Sequence, residues 1–324
     1  MTGRKIITSL YAYKYSLFVA YLDGGIDIIP IPEFRKKFNI TRTKVPFANK
    51  IEENKNLIIG MQALQNILFA ATSNQLFSHE LIPSIYSNKD FEGFYKDISG
   101  CQKIIINYSN NILYVITNER GIVAIDIKNV HQPKFKNDLA SSALEGIEDG
   151  AITGVDVMEN SLLISIRNRG VYRIFINEEN RFPVIEREIT KIRLEDVQDV
   201  VHVPKTKLIY VLDGEKGFLI MNITNNSVEF ESKLPESDYP KSVFIYNQYA
   251  LIRGAKGLYL FSPKSKTIER IFEKKIGAMD SYYNHFFYTQ EGQIKVLILS
   301  STGESESLEM FDRSKFTQID VKKI

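Results

Sequence analysis

Apolar residues along this chain fall into short runs of four to six, not at the three-and-four spacing of an amphipathic helix, and a Gly or Asn turn and a second β-rich run follow each one. The runs are Leu17-Phe18-Val19-Ala20-Tyr21, Ile67-Leu68-Phe69-Ala70-Ala71, Ile112-Leu113-Tyr114-Val115-Ile116 and Leu162-Leu163-Ile164-Ser165-Ile166 in the first half. Leu208-Ile209-Tyr210-Val211-Leu212, Ala250-Leu251-Ile252-Arg253 and Phe286-Phe287-Tyr288-Thr289 continue the series. Their first residues are 50, 45, 50, 46, 42 and 36 positions apart, close to the about 40–50 residues of a four-stranded propeller blade. The turns that follow carry Gly24-Gly25, Asn74, Gly121, Gly170, Gly217, Gly257 and Gly292, residues that reach positive φ at little steric cost.

A first strand precedes each run, as in Ile104-Ile105-Ile106, Gly154 to Val157, Val200 to Val203 and Ser242 to Ile245, and a third follows the turn, as in Gly121 to Ile127, Gly170 to Phe175 and Gly217 to Ile223. The fourth strand is the weakest and most polar, with candidates at Val184–Arg187, Val228–Glu231 and Ile268–Ile271, as the outer edge of a sheet requires. The pattern predicts an all-β chain folded as a single seven-bladed β-propeller over 1–324, with six or eight blades if the terminal repeats divide differently. The blades are expected at about 4–50, 56–98, 101–150, 151–192, 195–236, 239–274 and 276–324. A pair of β-sandwich domains is the alternative, but no linker, composition shift or proline cluster divides the sequence. No long helix is predicted, although 138–149 has room for one or two turns over a loop.

Composition narrows the class. Hydrophobic residues make up 44% and charged residues 25%, the balance of a soluble protein with a large core. The net charge is +2, with basic residues scattered singly apart from Arg35-Lys36-Lys37, Lys274-Lys275 and Lys322-Lys323; nucleic acid is not expected as a partner, since duplex binding rests on clustered phosphate contacts. The most apolar long stretch, Leu57 to Ala71, is broken by Gln62, Gln65 and Asn66, so no membrane insertion is expected. Cys101 is the one cysteine, which leaves no intrachain disulfide and no Cys-rich zinc site. With no secretory h-region after Met1, the expected location is intracellular, or extracellular if the chain is a processed form. The sequons at Asn39, Asn107, Asn222 and Asn225 are background unless the protein is secreted.

The stretch Gly121-Ile122-Val123-Ala124-Ile125-Asp126-Ile127-Lys128-Asn129-Val130-His131-Gln132-Pro133 resembles the LVIVD-type propeller repeat, whose third strand ends in an Asp-apolar-x-Asn-x-x-x-Pro turn. Gly217 to Asn225 is a looser copy and Gly25 to Pro30 a looser one still. The resemblance implies a propeller of the binding or surface kind without an assigned reaction. Blades six and seven lack the Asp turn, and the absence of tryptophan sets the chain apart from Trp-Asp, sialidase-like and quinoprotein repeats.

No phosphate loop, nucleophile elbow or paired-histidine metal motif occurs. His79, His131, His202 and His285 lie in four different units, and Cys101 has no histidine near it in sequence; neither a cofactor nor a metal site is expected. One constellation stands out. Counting six residues back from each second-strand run gives Tyr11, Met61, Ile106, Asp156, His202, Phe244 and Asp280 as one equivalent first-strand position. First strands line a propeller's channel, so Asp156, His202 and Asp280 are candidates for a cation or acid–base site there. The alternative is that they bond neighbouring backbone or channel water. The longer connections 89–100 and 136–150 suggest binding loops, in which Phe91, Phe94 and Tyr95 would anchor a protein partner or merely tuck the loop onto the blade edge.

These features favour a non-catalytic scaffold that mediates protein–protein interactions within a larger assembly. The alternatives are a lactonase-like hydrolase with a cation in the channel, and an extracellular recognition or adhesion domain bearing glycan at Asn39 or Asn107. Oligomeric state stays open.

Overall fold

The computed structural model describes residues 6–14, 16–22, 26–30, 43–45, 57–81, 92–95, 98–117, 120–139, 152–158, 161–175, 184–188, 194–246, 249–282, 285–291, 293–299 and 316–320. Strands dominate them, and each group of four successive strands makes one sheet. Ile7–Tyr13 (β1), Ser16–Tyr21 (β2), Ile26–Pro30 (β3) and Thr43–Val45 (β4) form the first, and Gly60–Leu64 (β5), Ile67–Ala71 (β6), Leu76–Glu80 (β7) and Glu92–Tyr95 (β8) the second. The third holds Cys101–Asn107 (β9), Ile112–Thr117 (β10), Gly121–Asp126 (β11) and Lys134–Leu139 (β12). The fourth holds Ile152–Met158 (β13), Ser161–Ile166 (β14), Gly170–Phe175 (β15) and Val184–Glu188 (β16). Val197–His202 (β17), Leu208–Asp213 (β18), Gly217–Asn222 (β19) and Ser227–Ser232 (β20) make the fifth, and Pro240–Tyr246 (β21), Tyr249–Gly254 (β22), Leu258–Ser262 (β23) and Thr267–Phe272 (β24) the sixth. Met279–Tyr282 (β25), His285–Gln290 (β26), Gln293–Leu299 (β27) and Phe316–Asp320 (β28) complete the series.

All seven predicted second-strand runs are second strands of their sheets, and the three predicted fourth strands are β16, β20 and β24. The physical reason is burial on both faces. Every residue of β6, β10 and β14 is buried, so the alternation of a half-exposed strand gives way to a continuous apolar run. The outer strand β20, by contrast, has no fully buried residue. Gly121, Gly170 and Gly217 open their third strands at φ 77°, 107° and 92°, where a side chain would be strained. At Gly217 an added Cβ would also meet the Ser232 carbonyl oxygen at 2.5 Å.

Two expectations about connections change. The predicted loop 89–100 contains β8, which pairs with β7 through Leu76↔Tyr95 and Phe77↔Gly93, because the outward N–H and C=O groups of β7 need partners. Within 136–150, and at the start of the possible helix 138–149, β12 runs to Leu139 and pairs with β11; residues 140–150 lie outside the described residues.

The chain divides into two compact units, Met1–Glu148 with Ala278–Tyr282, and Asp149–Gly277 with Tyr283–Ile324. Within each, successive sheets bury their faces against one another. In the first unit Phe18, Ile26, Met61, Leu68 and Phe77 make one layer, and Phe69, Ile104, Leu113 and Val123 the next. In the second unit Leu163, Val200, Ile209 and Leu219 form one layer, and Tyr210, Phe218, Ile252, Tyr259 and Phe261 another.

Candidate functional site

The first strands carry the candidate residues, and their register fixes which ones are equivalent. A β-bulge interrupts β1 between Ile7 and Ser9, β13 between Ile152 and Gly154, β17 between Val197 and Asp199, and β21 between Pro240 and Ser242. Counted from the bulge, Tyr11, Asp156 and Phe244 hold one position, while His202 stands one residue further, level with Ala12. Six-residue counting misplaces His202 and Ile106 because their hairpins are longer. Met158 and Ser161 enclose two residues, but Asn107 and Ile112 enclose four, as do Val203 and Leu208. Met61, which pairs with Ala70, is displaced in the other direction.

What this position does is clear from its bonds. In the second unit Asp156 Oδ2 accepts the His202 N–H at 2.6 Å and its Oδ1 accepts the Val157 N–H at 2.8 Å. Asp156 and His202 are thus brought together, but through the histidine's backbone. The His202 ring is turned to Thr206, with Nε2 2.9 Å from its carbonyl oxygen. In the first unit Asp280 Oδ2 accepts the Ala12 N–H at 2.5 Å and its Oδ1 the Ser281 N–H at 2.8 Å. The Tyr11 hydroxyl does the same for the next strand, accepting the Ala63 N–H at 2.9 Å. Three side chains, two carboxylates and a phenol, therefore each join one first strand to the first strand of another sheet.

A fourth such link, Asp199, gives no sign in the six-residue count because it sits on the bulge side of β17. Its Oδ1 accepts the Val200 N–H and its Oδ2 the Val243 N–H, both at 3.0 Å. Gly154 makes room for it, since a Cβ there would lie 2.5 Å from Asp199 Oδ1 and 2.7 Å from the Val200 nitrogen. The Asp199 charge also supports Arg253, whose pKa burial pulls below the usual guanidinium value. Arg253 Nη1 donates to the Gly277 carbonyl at 2.7 Å.

Around Asp280 the setting is aromatic. Tyr108, 52% exposed, donates from its hydroxyl to the Ala63 carbonyl at 3.2 Å and lies 3.4 Å from the Tyr11 hydroxyl. Desolvation raises the pKa of both phenols, and it raises the Asp280 carboxyl to about 7 against the pull of its two N–H donors.

A second polar cluster lies at the opposite ends of the second-unit strands. Asp213, fully buried, accepts the Glu215 and Lys216 N–H groups at 2.9 Å each and the Asp196 N–H at 3.2 Å. Asp196 takes the Tyr239 hydroxyl and the Gln198 amide. Asp238 accepts the Lys256 N–H and the Tyr259 hydroxyl. Thr72 and Thr117 take Asp213's place at the ends of β6 and β10, with hydroxyls accepting N–H groups of the following turn. These are turn caps.

Among the described residues no group of three or more His, Cys, Asp or Glu is placed to hold a metal ion, and no helix is long and apolar enough to cross a membrane. Cys101 is buried, and burial pushes its thiol up to about 12. Asn107 is 1% exposed, its Oδ1 accepting the Ser109 N–H at 3.0 Å, so the folded chain presents no glycan acceptor there. Asn39 lies outside the described residues. Of the proposed aromatic anchors, Phe94 and Tyr95 lie on β8 and Phe91 falls outside the described residues.

No protein-family model matches the chain, and no curated protein does. Among solved structures, 1463 chains match, so the fold is too widely shared to indicate a function. One is the computationally designed Ika8 protein, with 12% sequence identity, a TM-score of 0.60 and an overlap of 91% of this chain and 84% of that one. At that identity the likeness shows the fold alone: repeated small antiparallel sheets.

Proposed function

We propose that the seven sheets are blades of one β-propeller of the LVIVD-repeat kind, and that the chain is a non-catalytic scaffold binding partner proteins within a larger assembly. The propeller reading is supported by the unbroken four-strand order of every sheet and the 0.60 TM-score likeness over 91% of the chain. The scaffold reading rests on one observation: Asp156, Asp199 and Asp280 each spend both carboxylate oxygens on backbone N–H groups, which is structural work. A partner would then meet the outer strands, where β8 carries Phe94 and Tyr95, and where Phe135 on β12 is 47% exposed. An exposed aromatic such as Phe135 anchors protein interfaces.

The test is the state of the chain in its native source. Scaffold function predicts migration well above 37.2 kDa on a sizing column with partners in fixed ratio, and release from that particle in a chain carrying Phe94→Ala, Tyr95→Ala and Phe135→Ala. Migration at its own mass, together with metal-dependent turnover of a lactone, would overturn it.

A further inference from the structure

Each fourth strand ends its sheet, so one of its backbone edges has no strand of that sheet beside it. Two of these strands carry opposite charges around an aromatic. β12 begins Lys134-Phe135-Lys136, all three exposed, and β20 contains Glu229-Phe230-Glu231, with both glutamates exposed and Phe230 partly buried. Their bulges stand at the same place. On β12 the extra residue is Lys136, between Phe135 opposite Ile125 and Asn137 opposite Ala124. On β20 it is Glu229, between Val228 opposite Met221 and Phe230 opposite Ile220. Such a residue is left unpaired by the ladder. Asp138, the one acid on β12, is bound by Arg120 at 2.7 Å, and the same guanidinium lies 5.9 Å from the Phe135 ring centroid. Glu229 takes the Asn222 amide at 3.0 Å, a neutral donor that leaves its charge in place. Other fourth strands mix their charges, as in Glu186-Arg187-Glu188 on β16 and Glu269-Arg270 on β24.

We propose that β12 of one copy of this chain docks antiparallel along β20 of a second copy. Aligning Lys136 with Glu229 sets Phe135 opposite Phe230 and Lys134 opposite Glu231, and it brings no like charges together, since Asp138 falls opposite Ser227 and Gln132 opposite Lys233. Opposite charges directly across an antiparallel pair stabilise it, and like charges destabilise it. β12 against β12, or β20 against β20, opposes like charges, so the charges select the unlike pair. The exposed Phe135 ring gains cover in the contact. The contact is heterologous, one copy offering β12 and the other β20, so assembly can continue beyond a pair. Exposed charge pairs are individually weak and screened by salt, which makes the association a weak and salt-sensitive one. The inference rests on the scaffold reading only in placing partners at the outer strands, and it names this chain as one of them.

Sedimentation equilibrium of the purified full chain tests this. At low salt the mass should rise with concentration from 37.2 kDa to twice that or more, and raising the salt from about 50 to about 500 mM should weaken the association at least about tenfold. Lys134→Glu with Lys136→Glu, and separately Glu229→Lys with Glu231→Lys, should each give a monomer, because every contact then opposes like charges. An equal mixture of the two variants should associate again, because the reversed β12 of one meets the reversed β20 of the other. The four positions are exposed, so both variants should keep the circular dichroism and urea midpoint of the parent. A parent chain that stays at 37.2 kDa at every concentration, association that survives in either variant alone, or a mixture that stays monomeric would overturn the proposal. A monomeric pure chain that still migrates with other proteins in its native source would sink this inference and leave the scaffold reading standing.

Discussion

Replacing Asp156 by Ala removes two acceptors from β13. The Val157 N–H at 2.8 Å belongs to the adjacent residue, so its bond adds little beyond local orientation. The weight falls on the His202 N–H at 2.6 Å, which joins two sheets. A hydrogen bond to a charged acceptor contributes roughly 1.5–3 kcal/mol. Both residues are only partly buried, so water can reach the freed N–H once a methyl replaces the carboxylate. That sets the loss at the lower end, about 2 kcal/mol. Asp156→Asn keeps one acceptor oxygen and loses the charge, which puts its cost at about 1 kcal/mol. Urea unfolding followed by far-UV circular dichroism measures the global effect, and exchange of the His202 amide the local one. The local rate should rise on the order of 30-fold in Asp156→Ala. A loss under about 0.5 kcal/mol, or an Asn variant as costly as Ala, would refute a carboxylate link between sheets.

Phe218 is fully buried with ring centroids 4.8 Å from Phe261 and 5.2 Å from Tyr210, so Phe218→Ala should cost about 3–5 kcal/mol in chemical denaturation; a loss below about 1 kcal/mol would mean the layer closes over the gap. Cys101, with its thiol pushed up to about 12 by burial, should be inert to a thiol reagent at pH 8 until denaturant is added. Stoichiometric labelling of the folded chain would contradict that.

The strands were legible in the sequence to the degree that burial wrote them there. Central strands such as β10 and β14, apolar throughout because a sheet packs on each face, stand out without ambiguity. The outer strand β8 was hidden because Glu92-Gly93-Phe94-Tyr95 is short, contains a glycine, follows the polar stretch Ser87-Asn88-Lys89-Asp90 and pairs on one edge only. The candidate site was half legible. Asp156 and Asp280 lie on first strands, where the count puts them, but the count takes all hairpins as equal, and two extra residues before Leu208 move His202 out of line. Tyr11 stood on the same roll and escaped notice, since only its hydroxyl's bond to Ala63 shows that it acts as the aspartates do. No local signal marks Asp199, whose partner Val243 is 44 residues away.

The four links share one cause. A first strand is paired on one side only, so the N–H groups of its free edge need acceptors. Successive sheets stack face to face and supply no ladder for that edge. A side chain from another first strand can reach across, provided it carries an acceptor of suitable length. Tyr11 does so with a phenol, Asp156, Asp199 and Asp280 with carboxylates. Tyr11, Asp156, Asp199 and Asp280 thus each satisfy a backbone N–H of another first strand.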